Sequence, residues 1–422
     1  MSQGGIALLF VELAVILLVA RLAGRAARAL GQPAVLGEIV AGILMGPTLF
    51  DGAVADALFP AGARPYLSTL ANVGLVLFMF VVGLEFDYER LRGFGRVTGT
   101  TSLSAFLLPF ALGSLLALYL LGSHPTDNRP GFVLFFGVAM SITAFPVLAR
   151  ILVDHRMNKS LVGAIALSAA AVCDLAGWSM LALVQALVGG KDTQHWPVLL
   201  VAPFAALLAF VVRPLLKRLL TRGGTGRAAA ATRFSTVLAC LFASAAVTEM
   251  IGLHFVFGAF LFGLVMPREA TERARADLLE RATTGTTFLL PVYFVVAGLN
   301  VDLSSMGFDG LLELGLILVT AVMGKTAGTF VTARAAGMST RRSTVLATLM
   351  NTRGLTELIV LGVGLRIGML DQSLYAQMVV MAVLTTAMTG VLLPWLVGRD
   401  DRDPPAPAGA VPREEEAVGA RS

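Results

Sequence analysis

The sequence predicts an all-α membrane protein of about thirteen transmembrane helices, built as two inverted six-helix repeats joined by a linking seventh. Three observations predict it. Of 422 residues, 56% are hydrophobic and only 14% charged, where soluble domains average about 25% charged; the mean hydropathy is +0.81. The apolar residues fall in blocks near the ~20-residue length that spans a bilayer. Two of those blocks, seven apart, are interrupted at mid-span, and interruptions at corresponding positions of two halves point to a carrier's binding site.

The blocks run near Gly5–Gly24, Pro33–Phe50, Thr69–Phe86, Thr98–Gly122, Gly131–Leu152, Ser160–Gly189 and Trp196–Leu216, then Phe234–Gly252, His254–Pro267, Thr286–Val301, Gly310–Thr332, Ser343–Gly368 and Ser373–Gly398. Leu253 alone separates the eighth from the ninth, which requires a tight turn. The linking seventh has no polar midpoint before Arg213. These blocks make residues 1–398 one transmembrane domain. Residues 399–422, polar and rich in Pro and Glu, read as a short disordered cytoplasmic tail.

Loop charge orients the chain. With the N-terminus outside, twenty-one loop arginines and lysines face the cytoplasm, from Arg21, Arg25 and Arg28 to Arg334, Arg341 and Arg342. The opposite side holds Arg64, Arg129 and Lys191, with Arg366 near the end of the twelfth block. The positive-inside rule gives N-out, C-in. The formal charge of +5 is therefore orientation, not a nucleic-acid footprint. Met1-Ser-Gln-Gly-Gly lacks a basic segment, so no cleavable signal peptide is expected. Cys173 and Cys240 lie inside spans and imply no disulfide framework. No nucleotide-binding glycine fingerprint occurs in the loops, which argues against ATP-driven pumping. His124, His155, His195 and His254 are not spaced as ligands on a shared face, and no nucleophile–base pair stands out. Neither a cofactor nor enzyme chemistry is expected.

The fifth block carries Ser141-Ile-Thr-Ala-Phe-Pro146. Pro146 removes a backbone donor and clashes with the preceding turn, so the helix should break near Thr143. The freed carbonyls must face protein or a watery cavity. The twelfth block carries Asn351-Thr-Arg-Gly-Leu-Thr-Glu357, with Arg353, Gly354 and Glu357 between apolar arms. Arg353 and Glu357, four apart, can meet along a helix if it is not broken between them, and read as a structural pair that holds the break.

Asp174 lies deep in the sixth block, in Ser168-Ala-Ala-Ala-Val-Cys-Asp-Leu-Ala-Gly-Trp178. A charge at that depth costs ~2.5–3.5 kcal/mol on insertion scales and is a functional residue by default. No Lys, Arg or His lies within two turns, so its partner is a proton or a cation. Gly163, Ala170 and Gly177 share its face and let another helix approach. Lys325, mid-way along the eleventh block, would pair with Asp174 in the absence of a cation, stabilise broken helix ends, or snorkel to a surface. Glu38, Glu85 and Glu249 lie nearer span ends, and Glu85 reads as surface charge.

These residues also carry a likeness. Gly31–Pro47, Leu75–Asp87, Ser141–Arg150, Ile251–Pro267 and Asn351–Val360 together resemble the cation:proton antiporter-2 family of monovalent cation/proton exchangers, over about residues 31–396. The resemblance implies crossed, unwound helices matching the fifth and twelfth blocks, an essential aspartate matching Asp174 and a membrane lysine matching Lys325. It also implies a dimerisation domain and a mobile six-helix transport domain in a homodimer, with elevator-like movement. Many relatives carry Asp-Asp or Asn-Asp on the sixth helix, where this chain has Cys173-Asp174. A thiol is a poor ligand for hard cations. The expected shell is Asp174, Thr143, water and carbonyls around Ser141 and Thr143, with Cys173 beside it.

The expected function is exchange of Na+ or K+ for H+ across a bacterial-type plasma membrane, by competition at Asp174. One carboxylate trading one cation for one proton is electroneutral. An uncoupled cation pathway, an exporter of organic anions or drugs using Arg353 and Lys325, and an ion sensor are the alternatives.

Overall fold

The computed structural model describes residues 3–49, 52–60, 62–85, 96–157, 160–188, 200–222, 227–251, 253–267, 272–304 and 307–397. The tail from Arg399, and loop residues such as Arg90, Lys191 and Arg268, lie outside them. The described residues form helices α1 (Gln3–Ala29), α2 (Ala34–Met45), α3 (Ala53–Leu58), α4 (Arg64–Glu85), α5 (Arg96–Leu120), α6 (Arg129–Ser141), α7 (Phe145–Asp154) and α8 (Leu161–Val188). Then come α9 (Val201–Leu207), α10 (Arg213–Arg222), α11 (Arg227–Met250), α12 (Phe255–Val265), α13 (Glu272–Leu299), α14 (Phe308–Ala335), α15 (Thr340–Met350), α16 (Leu355–Arg366) and α17 (Gln372–Leu396).

Among the described residues, each apolar block falls mainly on helix. Nine stretches among the described residues are long and apolar enough to cross a membrane, counting Arg129–Asp154 as one. A total of thirteen needs four more: the short apolar helices α2 and α12, the interrupted α15–α16 pair and the α9–α10 segment. Between α9 and α10 the chain widens into a π-turn, Leu208–Val212. Pro214 follows; it cannot donate to Phe210 and its ring crowds that carbonyl, and a wider turn relieves both. The eighth and ninth blocks are separate helices, since α11 ends at Met250 and α12 begins at Phe255.

The helices pack in two groups. One contains α1, α2, α4, α11, α12 and α13; the other contains α5, α6, α7, α8, α14, α15, α16 and α17. Close crossings in the first group rest on glycine. A Cβ on Gly83 would lie 2.4 Å from the Phe260 carbonyl, and one on Gly263 would lie 2.3 Å from that of Phe80. Missing side chains thus let α4 and α12 backbones touch, the usual way apolar helices associate without a hydrophobic driving force between them. Polar links join the groups: Tyr375 donates to the Ala297 carbonyl at 3.1 Å, Gln32 to that of Ala387 at 3.3 Å, and Arg366 pairs with Glu249. Trp178 of α8 meets Phe257 of α12 edge-on, with ring centroids 5.8 Å apart.

Candidate functional site

At the centre of the second group both broken helices lose their ladders at the same place. α6 ends at Ser141 and α7 starts at Phe145; α15 ends at Met350 and α16 starts at Leu355. The two gaps cross and hydrogen-bond, Ala144 donating its N–H to the Thr352 carbonyl at 3.1 Å. Pro146 sits in the first turn of α7, where its missing donor costs nothing. It thus fixes where the second half-helix begins, and the unwound residues lie just before it.

Gly354 turns the second chain. Its φ is +154°, a region open to glycine and strained for other residues. An added Cβ would come within 2.8 Å of Val147 Cγ2. Gly354→Ala is therefore expected to cost on the order of 1–3 kcal/mol, read as a lower thermal midpoint of the purified protein. An unchanged midpoint would mean that the crossing is loosely packed.

Two helix C-termini and two N-termini thus converge in the protein interior, each with a partial charge of its own sign. The α6 end is matched by cations. The Arg353 guanidinium donates to the Ala139 carbonyl at 3.2 Å and the Met140 carbonyl at 2.7 Å. Lys325 Nζ donates to the Ser141 carbonyl and to Thr143 Oγ1 at 2.6 Å. The α7 start is matched by an anion, because Asp174 Oδ2 accepts the Phe145 N–H at 3.3 Å. Glu357 lies in the first turn of α16 and takes a 2.6 Å bond from Arg353. Arg353, Lys325 and Glu357 are fully buried, and Asp174 is 4% exposed. Buried charges of this kind persist only when paired and hydrogen-bonded.

Of the two partners the sequence offered for Lys325, the structure uses the broken helix. Its ammonium bonds the unwound segment, and no ion pair joins it to Asp174 among the described residues. Ser141 contributes its carbonyl to the crossing, since its hydroxyl donates to the carbonyls of Phe106 and Gly137 at 2.9 and 2.8 Å. Cys173 lies beside the Thr143 hydroxyl and its thiol points at the Ser102 carbonyl, 3.7 Å away. Thr143 also reaches the Met350 carbonyl at 3.4 Å. Gly177 serves close approach: a Cβ there would meet Ile142 in the gap at 2.9 Å. The equivalent space at Gly163 is taken by the Met157 carbonyl, away from the crossing.

Several oxygens at the crossing are buried without a hydrogen-bond partner among the described residues: Asp174 Oδ1, Asn351 Oδ1, Thr352 Oγ1, Thr356 Oγ1 and Glu357 Oε2. Asn351 caps the end of α15 through its backbone and leaves that side-chain oxygen over. Thr352 and Thr356 escaped the sequence reading, as did Thr386. The Thr386 hydroxyl accepts the Arg353 N–H at 2.9 Å and donates to the Arg353 carbonyl at 2.7 Å, strapping the gap to α17. The only local signal was a threonine pair, Thr385-Thr386, inside an apolar run.

A multi-pass membrane protein with half-helices crossing beside a buried carboxylate has the build of an ion-coupled carrier. The chain belongs to the sodium/hydrogen exchanger transmembrane family, which its residues 14–399 match. It is 35% identical to the Na+/H+ antiporter NhaS4 of Synechocystis over 93% of this chain and 98% of that one. It is 30% identical to K+/H+ antiporter 1 of Saccharomyces cerevisiae over 98% of this chain, which spans 49% of that longer protein. Its fold resembles that of the sodium proton antiporter MjNhaP1 from Methanocaldococcus jannaschii, with a TM-score of 0.66, 15% identity, and coverage of 92% of this chain and 96% of that one.

Proposed function

We propose that this protein is a secondary antiporter that exchanges Na+ or K+ for H+ at Asp174, in a bacterial plasma membrane with the N-terminus outside. The observation that carries the reading is Asp174 itself: a nearly buried carboxylate with one oxygen held by the Phe145 N–H and the other without a partner. A proton or a cation on that oxygen relieves the buried charge, and the two exclude each other. Hard monovalent cations take oxygen ligands. Thr143 Oγ1, the Ser141 carbonyl and water complete the shell we propose, with Asn351 Oδ1 available from the other break.

The charges around the crossing favour 1:1 exchange. Lys325 and Arg353 balance Asp174 and Glu357, so the proton-loaded and cation-loaded sites each carry one added positive charge. Equal charge in both loaded states makes the cycle electroneutral. The test is ion-driven proton movement in proteoliposomes with the membrane potential clamped and unclamped; a rate that changes with the clamp overturns the stoichiometry. An organic-anion exporter would need Arg353 and Lys325 free, but backbone carbonyls, Thr143 and Glu357 engage both.

Lys325 acts in this scheme as a resident cation. Its ammonium holds two oxygens that the transported ion would use, and like charges a few ångströms apart repel by several kcal/mol at an effective dielectric of about 20. Lys325→Gln is expected to lower the apparent KM for the cation by about tenfold, equivalent to ~1.4 kcal/mol. An unchanged or higher KM in folded protein would remove this role.

The proposal includes thirteen spans. It also assigns the helix group around the crossing as a moving transport unit and the other group as a static one in a homodimer. Light scattering of the purified protein tests the dimer.

A further inference from the structure

A second charged cluster lies away from the crossing, at the end of the bundle opposite the arginine-rich loops. His124 follows α5 and stands between two carboxylates from distant parts of the chain. Its Nδ1 is 2.5 Å from Asp371 Oδ2, and its Nε2 is 3.1 Å from Glu313 Oε2. Glu313 belongs to the second turn of α14. Asp371 caps α17, its Oδ1 accepting the Leu374 N–H at 2.8 Å. Gln377 of α17 also donates to Glu313, at 3.2 Å. One imidazole thus ties the α5–α6 connection to α14 and α17.

A neutral imidazole has a single N–H and can donate to only one of the two carboxylates; the imidazolium donates to both. The clamp is therefore complete only when His124 is protonated. The His124 side chain is 11% exposed and that of Asp371 is 49% exposed, so the aqueous phase on that side can supply the proton. The clamp also lies beside a junction of the two helix groups, since Gln372 donates to the Asn300 carbonyl and Tyr375 to that of Ala297.

We propose that His124, Glu313 and Asp371 form a proton-operated clamp that makes exchange respond to pH on the side of the α5–α6 connection, separately from proton competition at Asp174. When the proton leaves, one carboxylate is released and the start of α17 loosens where it meets α13. The transport consequence rests on the antiport reading; the clamp's own titration does not.

The electrostatics agree with the geometry. Burial disfavours a charged His124, but the hydrogen bonds and charges of Asp371 and Glu313 outweigh it and hold its pKa above the ordinary value. Burial likewise disfavours a charged Asp371, and the bonds from His124 and from the Leu374 and Ser373 amides outweigh it and hold its pKa below the ordinary value. Asp371 and Glu313 are the charged groups that bear on His124. The signs follow by linkage. His124 contributes stability that is complete below about pH 6.5 and lost as pH rises through its higher folded value. Asp371 contributes stability present above about pH 3.9 and lost as pH falls through its lower folded value.

The experiment uses the full chain, His124→Gln, and His124→Lys, whose ammonium can bridge both carboxylates at every pH tested. Thermal midpoints are measured from pH 6 to 9. In oriented proteoliposomes, exchange is measured while pH is varied on the α5–α6 side and fixed on the other. The wild type is expected to exceed His124→Gln in stability at pH 6 and converge with it by pH 9, while His124→Lys keeps its advantage. The response of exchange to pH on that side should fall at least threefold in both variants. Parallel stability curves, or a full pH response in folded His124→Gln, would overturn the clamp. Stability that titrates as described without any exchange by wild type would sustain the clamp and remove the antiport reading instead.

Discussion

Asp174→Asn is expected to reduce cation-driven proton movement at least a hundredfold, to the level of empty vesicles, and to leave a folded protein. The amide has the same shape as the carboxylate, and its oxygen can still accept the Phe145 N–H that Asp174 accepts at 3.3 Å. The counter-charge at the start of α7 is lost, a term of about 0.3–1 kcal/mol for an ordinary helix end. Removing a buried charge recovers part of its desolvation cost, so net stability should hold or rise. What disappears completely is the titration, because an amide neither takes nor releases a proton near neutral pH. Asp174→Glu keeps the charge but lengthens the side chain, and it should retain exchange with a shifted pH profile. An intact thermal midpoint with no exchange is the expected signature of Asp174→Asn. Loss of both exchange and folding would instead assign Asp174 to holding α7.

Arg353→Ala is expected to have the largest effect on folding. The side chain donates to the Ala139 carbonyl, the Met140 carbonyl and Glu357 from a fully buried position. Truncation leaves the α6 end without that partner and strands a buried carboxylate, and breaking a buried pair in this way costs about 3–5 kcal/mol. Little folded protein should survive purification. Arg353→Lys keeps the charge without the planar fork that reaches two carbonyls and a carboxylate together, so it should be intermediate. Pairing Arg353→Met with Glu357→Gln removes both charges and should recover part of the loss. The ranking by thermal midpoint is wild type, Arg353→Lys, the double variant, then Arg353→Ala. A stable Arg353→Ala would mean that the crossing is held elsewhere, for instance by the Thr386 strap.

Local sequence carried the helices and both interruptions. Span-length apolar blocks mark the helices because a single segment of about twenty apolar residues satisfies its own backbone polar groups in a bilayer as a helix. Pro146 and Gly354 mark the breaks because each removes something a continuous helix needs. Arg353 and Glu357 were legible as a pair from their closeness in sequence, although they meet across the break at Gly354 and not along one continuous helix. The partners that cross between helices were not legible. Nothing near Lys325 in sequence shows that it reaches the Ser141 carbonyl instead of Asp174, since that choice depends on how α14 lies against α6. Nor does the composition around Arg353 reveal that it finds the end of α6, more than two hundred residues earlier. Side-chain direction was a further gap: the Ser141 hydroxyl bonds the turn behind it and α5, so the carbonyl faces the site. His124, Glu313 and Asp371 lie far apart in the chain, and only the fold joins them.

Ion-driven proton movement, measured with a pH-sensitive dye in proteoliposomes of the wild type and Asp174→Asn given Na+, K+ and Li+ pulses, is the most direct test of the central claim. The wild type is expected to respond to Na+ or K+, with a response that vanishes in Asp174→Asn and is indifferent to a potential clamp. A response that persists in folded Asp174→Asn, or no response of the folded wild type to any of the three ions, would contradict it.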